Sequence, residues 1–160
     1  MPRSLCGFKI PCESIAVLIL RHFPVAIEIK ADALMFLGDD HAVQGDGELC
    51  GFGAIEVRTF TTIEVDLISR PETMEWPRFK TADHVGAVPC ARPLGDAFRL
   101  SVEELINWMV EDYGFTQPEA LLLLGQVAEA RCTQLVAPNY TYVSKIARRY
   151  LGKGFGSAST

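Results

Sequence analysis

The five cysteines form no Cys-x-x-Cys pair, no basic cluster is longer than Arg148-Arg149, and the apolar run at residues 15–20 is only six residues long. Each lack excludes something. Cys6, Cys12, Cys50, Cys90 and Cys132 are odd in number and scattered, which argues for free thiols in a reducing compartment rather than a disulfide framework or a structural zinc site. With 15 basic against 20 acidic residues the formal charge is −5. The concentrated Lys/Arg surface that a phosphate backbone requires is missing, so nucleic acid is not an expected partner. Six apolar residues neither span a bilayer nor make a signal-peptide core; no membrane partner is expected, and a cytoplasmic location is. What remains is a composition of 49% apolar and 22% charged residues over 160 positions. That predicts one globular domain, residues 1–160, large enough to bury a core. The positive mean hydropathy warns of apolar surface that needs covering.

Chemistry concentrates in one place. Gly38-Asp39-Asp40-His41-Ala42-Val43-Gln44-Gly45-Asp46-Gly47-Glu48 packs four carboxylates, a histidine and three glycines into eleven residues. Glycine lets the backbone turn tightly enough for several ligating groups to face one centre. On an extended segment Asp39 and His41 lie on the same side, so they could grip one metal ion; equally, Asp39 could orient His41 by a hydrogen bond. Asp46 and Glu48 read either as ligand and general base or as a Gly-Asp-Gly turn. Glu56 reads as an acid or base facing the site, or as a surface partner of Arg58. Gln44 offers an amide to a substrate or to its own loop. Cys50 reads as a buried, inert thiol, and His84 and His22 as structural.

The flanking elements follow from periodicity. Residues 15–20 and 25–29 are β-branched runs parted by a break at Pro24, and residues 33–37 make a third short strand. From 55 to 67 apolar and polar residues alternate, with a bend expected at 59–62 because thirteen residues is long for one strand. Residues 69–99 are proline-rich and aperiodic, with short strands expected at 87–88 and 98–100. Ser101-Val102-Glu103-Glu104 reads as a capping box opening a helix that Gly114 ends. Thr116-Gln117-Pro118-Glu119 opens a second helix to about residue 133, and a third is expected over 141–151, capped by Asn139 or Thr141. The predicted class is α+β: a β-rich N-terminal half with a mixed or antiparallel sheet, packed with a helical C-terminal half.

Gly38-Asp39-x-His41-Ala42-x-Gln44-Gly45-Asp46-Gly47-Glu48-x-Cys50-Gly51, followed by Ala54-Ile55-Glu56, resembles the signature of the acetamidase/formamidase family. These are cytosolic hydrolases that release ammonia from small linear amides. Further similarities follow in order at Trp76-Pro77-Arg78, Ala91-Arg92-Pro93-Leu94, Asp96-Ala97-Phe98-Arg99 and Asn139-Tyr140-Thr141. The resemblance runs from about residue 23 to 151 and is strongest with the acetamidase branch. Residues 1–22 are unmatched, and the Gly/Ser-rich 152–160 reads as a flexible tail. Members of the family are longer than this chain, and the similarity is to their C-terminal part. Their N-terminal half, with further histidines and acidic residues, has no counterpart here.

The resemblance implies metal-assisted hydrolysis of acetamide or formamide to carboxylate and ammonia. It implies a divalent metal ion, zinc by preference, held partly by Asp39 and His41. Glu48 is then the preferred catalytic carboxylate with Glu56 as the second, Gln44 binds substrate and Asp46 is structural. The implied partners are the amide and either further copies of the chain or the missing N-terminal half. The alternative is a non-catalytic truncated paralogue serving assembly or regulation. An anion-binding role for the glycine-rich loop fits poorly, because four carboxylates would repel phosphate.

Overall fold

The computed structural model describes residues 14–20, 23–27, 40–50, 54–60, 62–69 and 71–152. The strands are β1 Ser14–Leu20, β2 Phe23–Ile27, β3 Ile63–Ser69, β4 Arg78–Lys80, β5 His84–Ala87, β6 Cys90–Ala91, β7 Glu129–Gln134 and β8 Tyr140–Ala147. They make one sheet in the order β3-β1-β2-β4-β5-β8-β6, with β7 also paired to β8. Every named pairing is antiparallel. The helices are α1 Leu94–Tyr113 and α2 Gln117–Val127. Among the described residues, no helix is long and apolar enough to cross a membrane.

β1 is flanked by β2 and β3, with Leu18 opposite Val25 on one side and Val65 on the other. β1 ends at Leu20 and β2 begins at Phe23, and Pro24, expected to enforce the break between them, lies inside β2 opposite Ile19. It is tolerated there because β4, the other neighbour of β2, reaches only Val25 and Ala26, so no second ladder needs the missing N–H. The strand expected at 33–37 lies outside the described residues. The alternating run 55–67 divides as its length demands: 55–57 pair elsewhere and β3 begins at Ile63.

α1 starts eight residues earlier than the Ser101 capping box suggests, with Pro93 rather than Ser101 at its N-cap. Its buried face is Ala97, Ser101, Glu104, Leu105, Trp108 and Met109, an i, i+3/i+4 stripe that includes two polar residues. Ser101 is therefore mid-helix, donating to the carbonyl of Phe98 at 2.7 Å and meeting the Ser144 hydroxyl of β8 at 2.5 Å. Small, mutually bonded hydroxyls let helix and strand approach closely there. Residues 98–100, expected as a strand, belong to this helix. Gly114 ends it in the left-handed conformation, and Thr116 with Glu119 forms the expected capping box of α2.

The third expected helix is not present. Residues 141–147 continue β8, followed by a single 3-10 turn at Arg148–Tyr150, and α2 stops at Val127 to make way for β7. Residues 143, 146, 147 and 150 carry a helical spacing, but Tyr140-Thr141-Tyr142-Val143 is aromatic and β-branched and prefers the pleated surface. Ser144 and Ile146 are buried toward α1. The class is α+β, with a purely antiparallel sheet. The C-terminal half is not all helical: the two helices lie between β6 and β7 in the chain.

One face of the sheet carries the core: Val85, Leu105, Trp108, Met109, Phe115, Ala120, Leu124, Ile146 and Leu151. Beneath it lies a buried charge. Arg78 Nε donates to Glu104 Oε1 at 2.5 Å, while Glu104 Oε2 accepts from the backbone N–H groups of Glu75 and Trp76 at 3.1 and 3.3 Å. The same guanidinium donates to Glu111 at 3.2 Å and lies 5.4 Å from the Trp108 ring centroid. Removing one partner would leave the other charged and desolvated, which typically costs about 3–5 kcal/mol, whereas removing both avoids that penalty. Arg78→Leu should lower the urea midpoint far more than the double variant Arg78→Leu/Glu104→Leu. Equal losses in the two would contradict this.

Candidate active site

Asp40 to Val43 and Ile55 to Val57 form a short two-stranded ribbon. Its bonds run from Ala42 N–H to Ile55 carbonyl at 2.8 Å and from Val57 N–H to Asp40 carbonyl at 3.0 Å. These flank His41 and Glu56, which are therefore a non-hydrogen-bonded antiparallel pair, the arrangement that brings opposed side chains closest. His41 Nε2 accordingly stands 3.8 Å from Glu56 Oε1. The imidazole is 7% exposed and the carboxylate 68%, so a shielded ring faces an acid open to solvent. Glu56 does not pair with Arg58, whose guanidinium lies 5.3 Å from the Phe60 ring centroid.

Between the two arms the chain makes a 3-10 turn at Asp46–Glu48. Gly47 has φ +82° and Glu48 φ +46°, so two consecutive residues are left-handed. Glycine takes that conformation freely; for Glu48 it is strain of the kind that collects at functional sites. The turn is tied to β7 by the Leu135 N–H on the Gly47 carbonyl at 2.9 Å, and by Asp46 Oδ2 at 3.5 Å from Arg131 Nε. Asp46 thus holds the loop, while Glu48 is half-buried on the turn rather than on the His41–Glu56 rung. Gln44 is exposed at the start of the turn. Asp39 lies outside the described residues. Cys50 is exposed rather than buried, because the turn delivers it to the surface instead of the core.

A helix expected to run to about residue 133 conceals the Arg131 anchor, because Arg131 in fact lies on β7. The alternation of that strand puts Glu129 and Arg131 on one face. Glu129 meets His84 Nε2 at 3.2 Å and Lys145 Nζ at 3.0 Å. The bonds from Lys145 and then His84 hold its carboxyl below the usual range. His84 is thereby a member of a surface charge array.

Imidazole and carboxylate are zinc-type donors, but such a site takes at least three protein ligands. Among the described residues no group of three His, Cys, Asp or Glu is placed to hold a metal ion. The rung supplies two donors, so a complete shell needs groups from outside the described residues.

Residues 19–88 match the acetamidase/formamidase family. An acetamidase from Yersinia enterocolitica is 32% identical, with a TM-score of 0.78, over 90% of this chain and 51% of that one. An acetamidase from Bacillus halodurans is 20% identical with a TM-score of 0.73, over 89% and 57% of the two chains. A predicted acetamidase/formamidase from Thermoanaerobacter tengcongensis is 21% identical with a TM-score of 0.69, over 89% and 56%. The last two share the fold. No curated protein matches the sequence. By sequence and fold together, this chain resembles the acetamidase/formamidase family, and it spans about half the length of those solved relatives.

A Cβ at position 47 would sit 3.1 Å from Leu49 Cδ2 and 3.4 Å from Leu135 Cδ1, on a backbone that L-residues adopt at a cost of roughly 1–2 kcal/mol. Gly47→Ala should therefore destabilise the chain by about that amount in urea unfolding. Arg131→Ala, which removes an exposed ion pair, should cost below about 1 kcal/mol. The reverse order would mean that the ion pair rather than the turn geometry sets the loop.

Proposed function

We propose that this chain is one half of an amidase-type hydrolase that converts short aliphatic amides, acetamide or formamide, to carboxylate and ammonia. The observation that supports it most is the similarity to the Yersinia acetamidase, which is 32% identical across 90% of this chain. The chemistry required is addition of water to the amide carbonyl, cleavage of the C–N bond and delivery of a proton to the departing nitrogen. A solvent-open carboxylate is suited to take the proton from water and pass it to nitrogen, and this reading gives that role to Glu56, beside His41. Glu48 is the second candidate for this role, on its strained turn. Gln44 offers an amide to the substrate's carbonyl or NH2.

His41 and Asp39 would hold a divalent metal ion, zinc by preference, together with ligands from beyond this chain. Bound there, the ion would polarise the carbonyl and acidify a water. Acetamide has few atoms from which to draw binding energy, so the pocket must be small and closed on the substrate. A cytoplasmic location belongs to this reading, where the free thiols of Cys50, Cys90 and Cys132 are stable.

A second reading is a non-catalytic module that keeps the fold for assembly or regulation. It draws on the length relation, since the match leaves about half of the Yersinia acetamidase uncovered. Ammonia release separates the two. It should be assayed with acetamide and formamide, for the chain alone and co-produced with the uncovered half of the Yersinia enzyme, alongside elemental analysis. Turnover in either setting, abolished by His41→Ala together with bound metal and lowered roughly 10²–10⁴-fold by Glu56→Gln, is the expected result. No turnover in both settings would establish the non-catalytic reading.

A further inference from the structure

Between α1 and α2 lies a cleft of about 930 Å³. Phe98, Val102 and Ile106 line it from α1, an i, i+4, i+8 stripe beside the one that enters the core, and Leu121 and Leu124 line it from α2. β7 pairs Ala130 with Ser144 of β8, so these two small side chains lie together on one face of the sheet, and both border the cleft. Small residues keep the space open. Gly125 also borders it, and among the described residues a Cβ there would meet nothing within 4 Å. Ser144 is only 1% exposed, yet its oxygen has bonding capacity left. Ser101 gives its one hydroxyl hydrogen to the Phe98 carbonyl at 2.7 Å, so in the 2.5 Å contact between the two serines Ser144 is the donor. Its acceptor lone pairs then receive no hydrogen from any described residue. A buried acceptor of this kind is expected to be met by a donor.

We propose that the cleft binds a neutral molecule with an apolar body and one hydroxyl or amide N–H donor, the donor resting on Ser144 and the body lying against Phe98, Ile106 and Leu121. The volume falls within the roughly 300–1,000 Å³ typical of small-molecule sites, and mainly apolar walls with a few polar groups are their usual lining. The rest of the lining selects against charge. Its other polar groups are the neutral amides of Asn107 and Gln117 and the opposite charges of Arg99 and Glu103, 3.6 Å apart. Arg99 is also 3.8 Å from Asp96, so it is not open to a carboxylate. An ammonium would exchange its water for one hydroxyl among apolar walls, which is unfavourable. Arg131, next to Ala130 along β7, points to the other face of that strand and to Asp46, so the cleft and the Asp46–Glu48 turn lie on opposite sides of β7. The proposal does not depend on the amidase reading.

The test is titration of the full chain with 1-octanol, octanamide and octanoate, followed through its backbone amide signals by NMR. Octanol and octanamide should move the Gly125 and Ser144 signals saturably, and the tighter of the two names the preferred donor. Affinity should rise about fourfold per methylene from 1-hexanol to 1-octanol, and octanoate should bind at least about tenfold more weakly than octanol. Gly125→Phe fills the cleft from an open helical position. It should abolish the movement at Ser144 while melting no lower than the parent chain, since phenylalanine is the better helix former. Ser144→Ala should weaken octanol about fivefold, read at Gly125, the loss of one hydrogen bond. No saturable movement of these signals, octanoate binding as tightly as octanol, or a response undiminished in Gly125→Phe or in Ser144→Ala would each overturn the proposal.

Discussion

The contact between Arg78 and Glu104 fixes where the two parts of the molecule meet. β4 is the middle of the sheet: it joins β3-β1-β2 on one side to β5-β8-β6 on the other. Arg78 occupies its first position, in register with Ala26 of β2 and Ala87 of β5. Through Glu104 it is bonded to α1, and through the same carboxylate to the backbone of Glu75 and Trp76, which lead into β4. One buried carboxylate thus orients the helix, the approach segment and the strand together. Buried pairs contribute little net stability but penalise every arrangement that separates them. That makes this one a determinant of register more than of strength.

The sheet so fixed provides the edge on which the Asp46–Glu48 turn rests. β8 is paired to β5, β6 and β7, and the outer strand β7 receives the Asp46–Glu48 turn through Leu135 and Arg131. From that anchor the two arms of the ribbon extend and set His41 against Glu56. The candidate site therefore combines a turn anchored to the sheet with two side chains set against each other by ribbon register.

Sequence pattern located some of this and missed the rest for identifiable reasons. Thr116 and Glu119 were readable because a capping box is a local device, and β1 because the six-residue apolar run 15–20, with Ile15, Val17 and Ile19 β-branched, favours a strand. The early start of α1 was not readable: its stripe includes Ser101 and Glu104, whose burial depends on Ser144 and Arg78, distant in sequence. The helical spacing of residues 143, 146, 147 and 150 fits β8 as well as a helix, and only pairing with β5 and β7 decides between them. The motif around Asp39 and His41 identified the loop, yet the opposition of His41 and Glu56 came from ribbon register. Several other family-like stretches prove structural: Arg78 in the buried pair, Asp96 to Arg99 in the first turns of α1, and Tyr140 and Thr141 opening β8.

Three histidines make the central claim directly measurable, since His22, His41 and His84 give few imidazole signals to resolve. The chain would be titrated with acetamide and with acetate while the ring resonances are followed by NMR, assigned with His41→Ala and His84→Asn. A site at the His41–Glu56 rung predicts saturable movement of the His41 signals, diminished in Glu56→Gln, with His84, engaged by Glu129, unmoved. Movement of His84 or His22 alone, or of none, would contradict it.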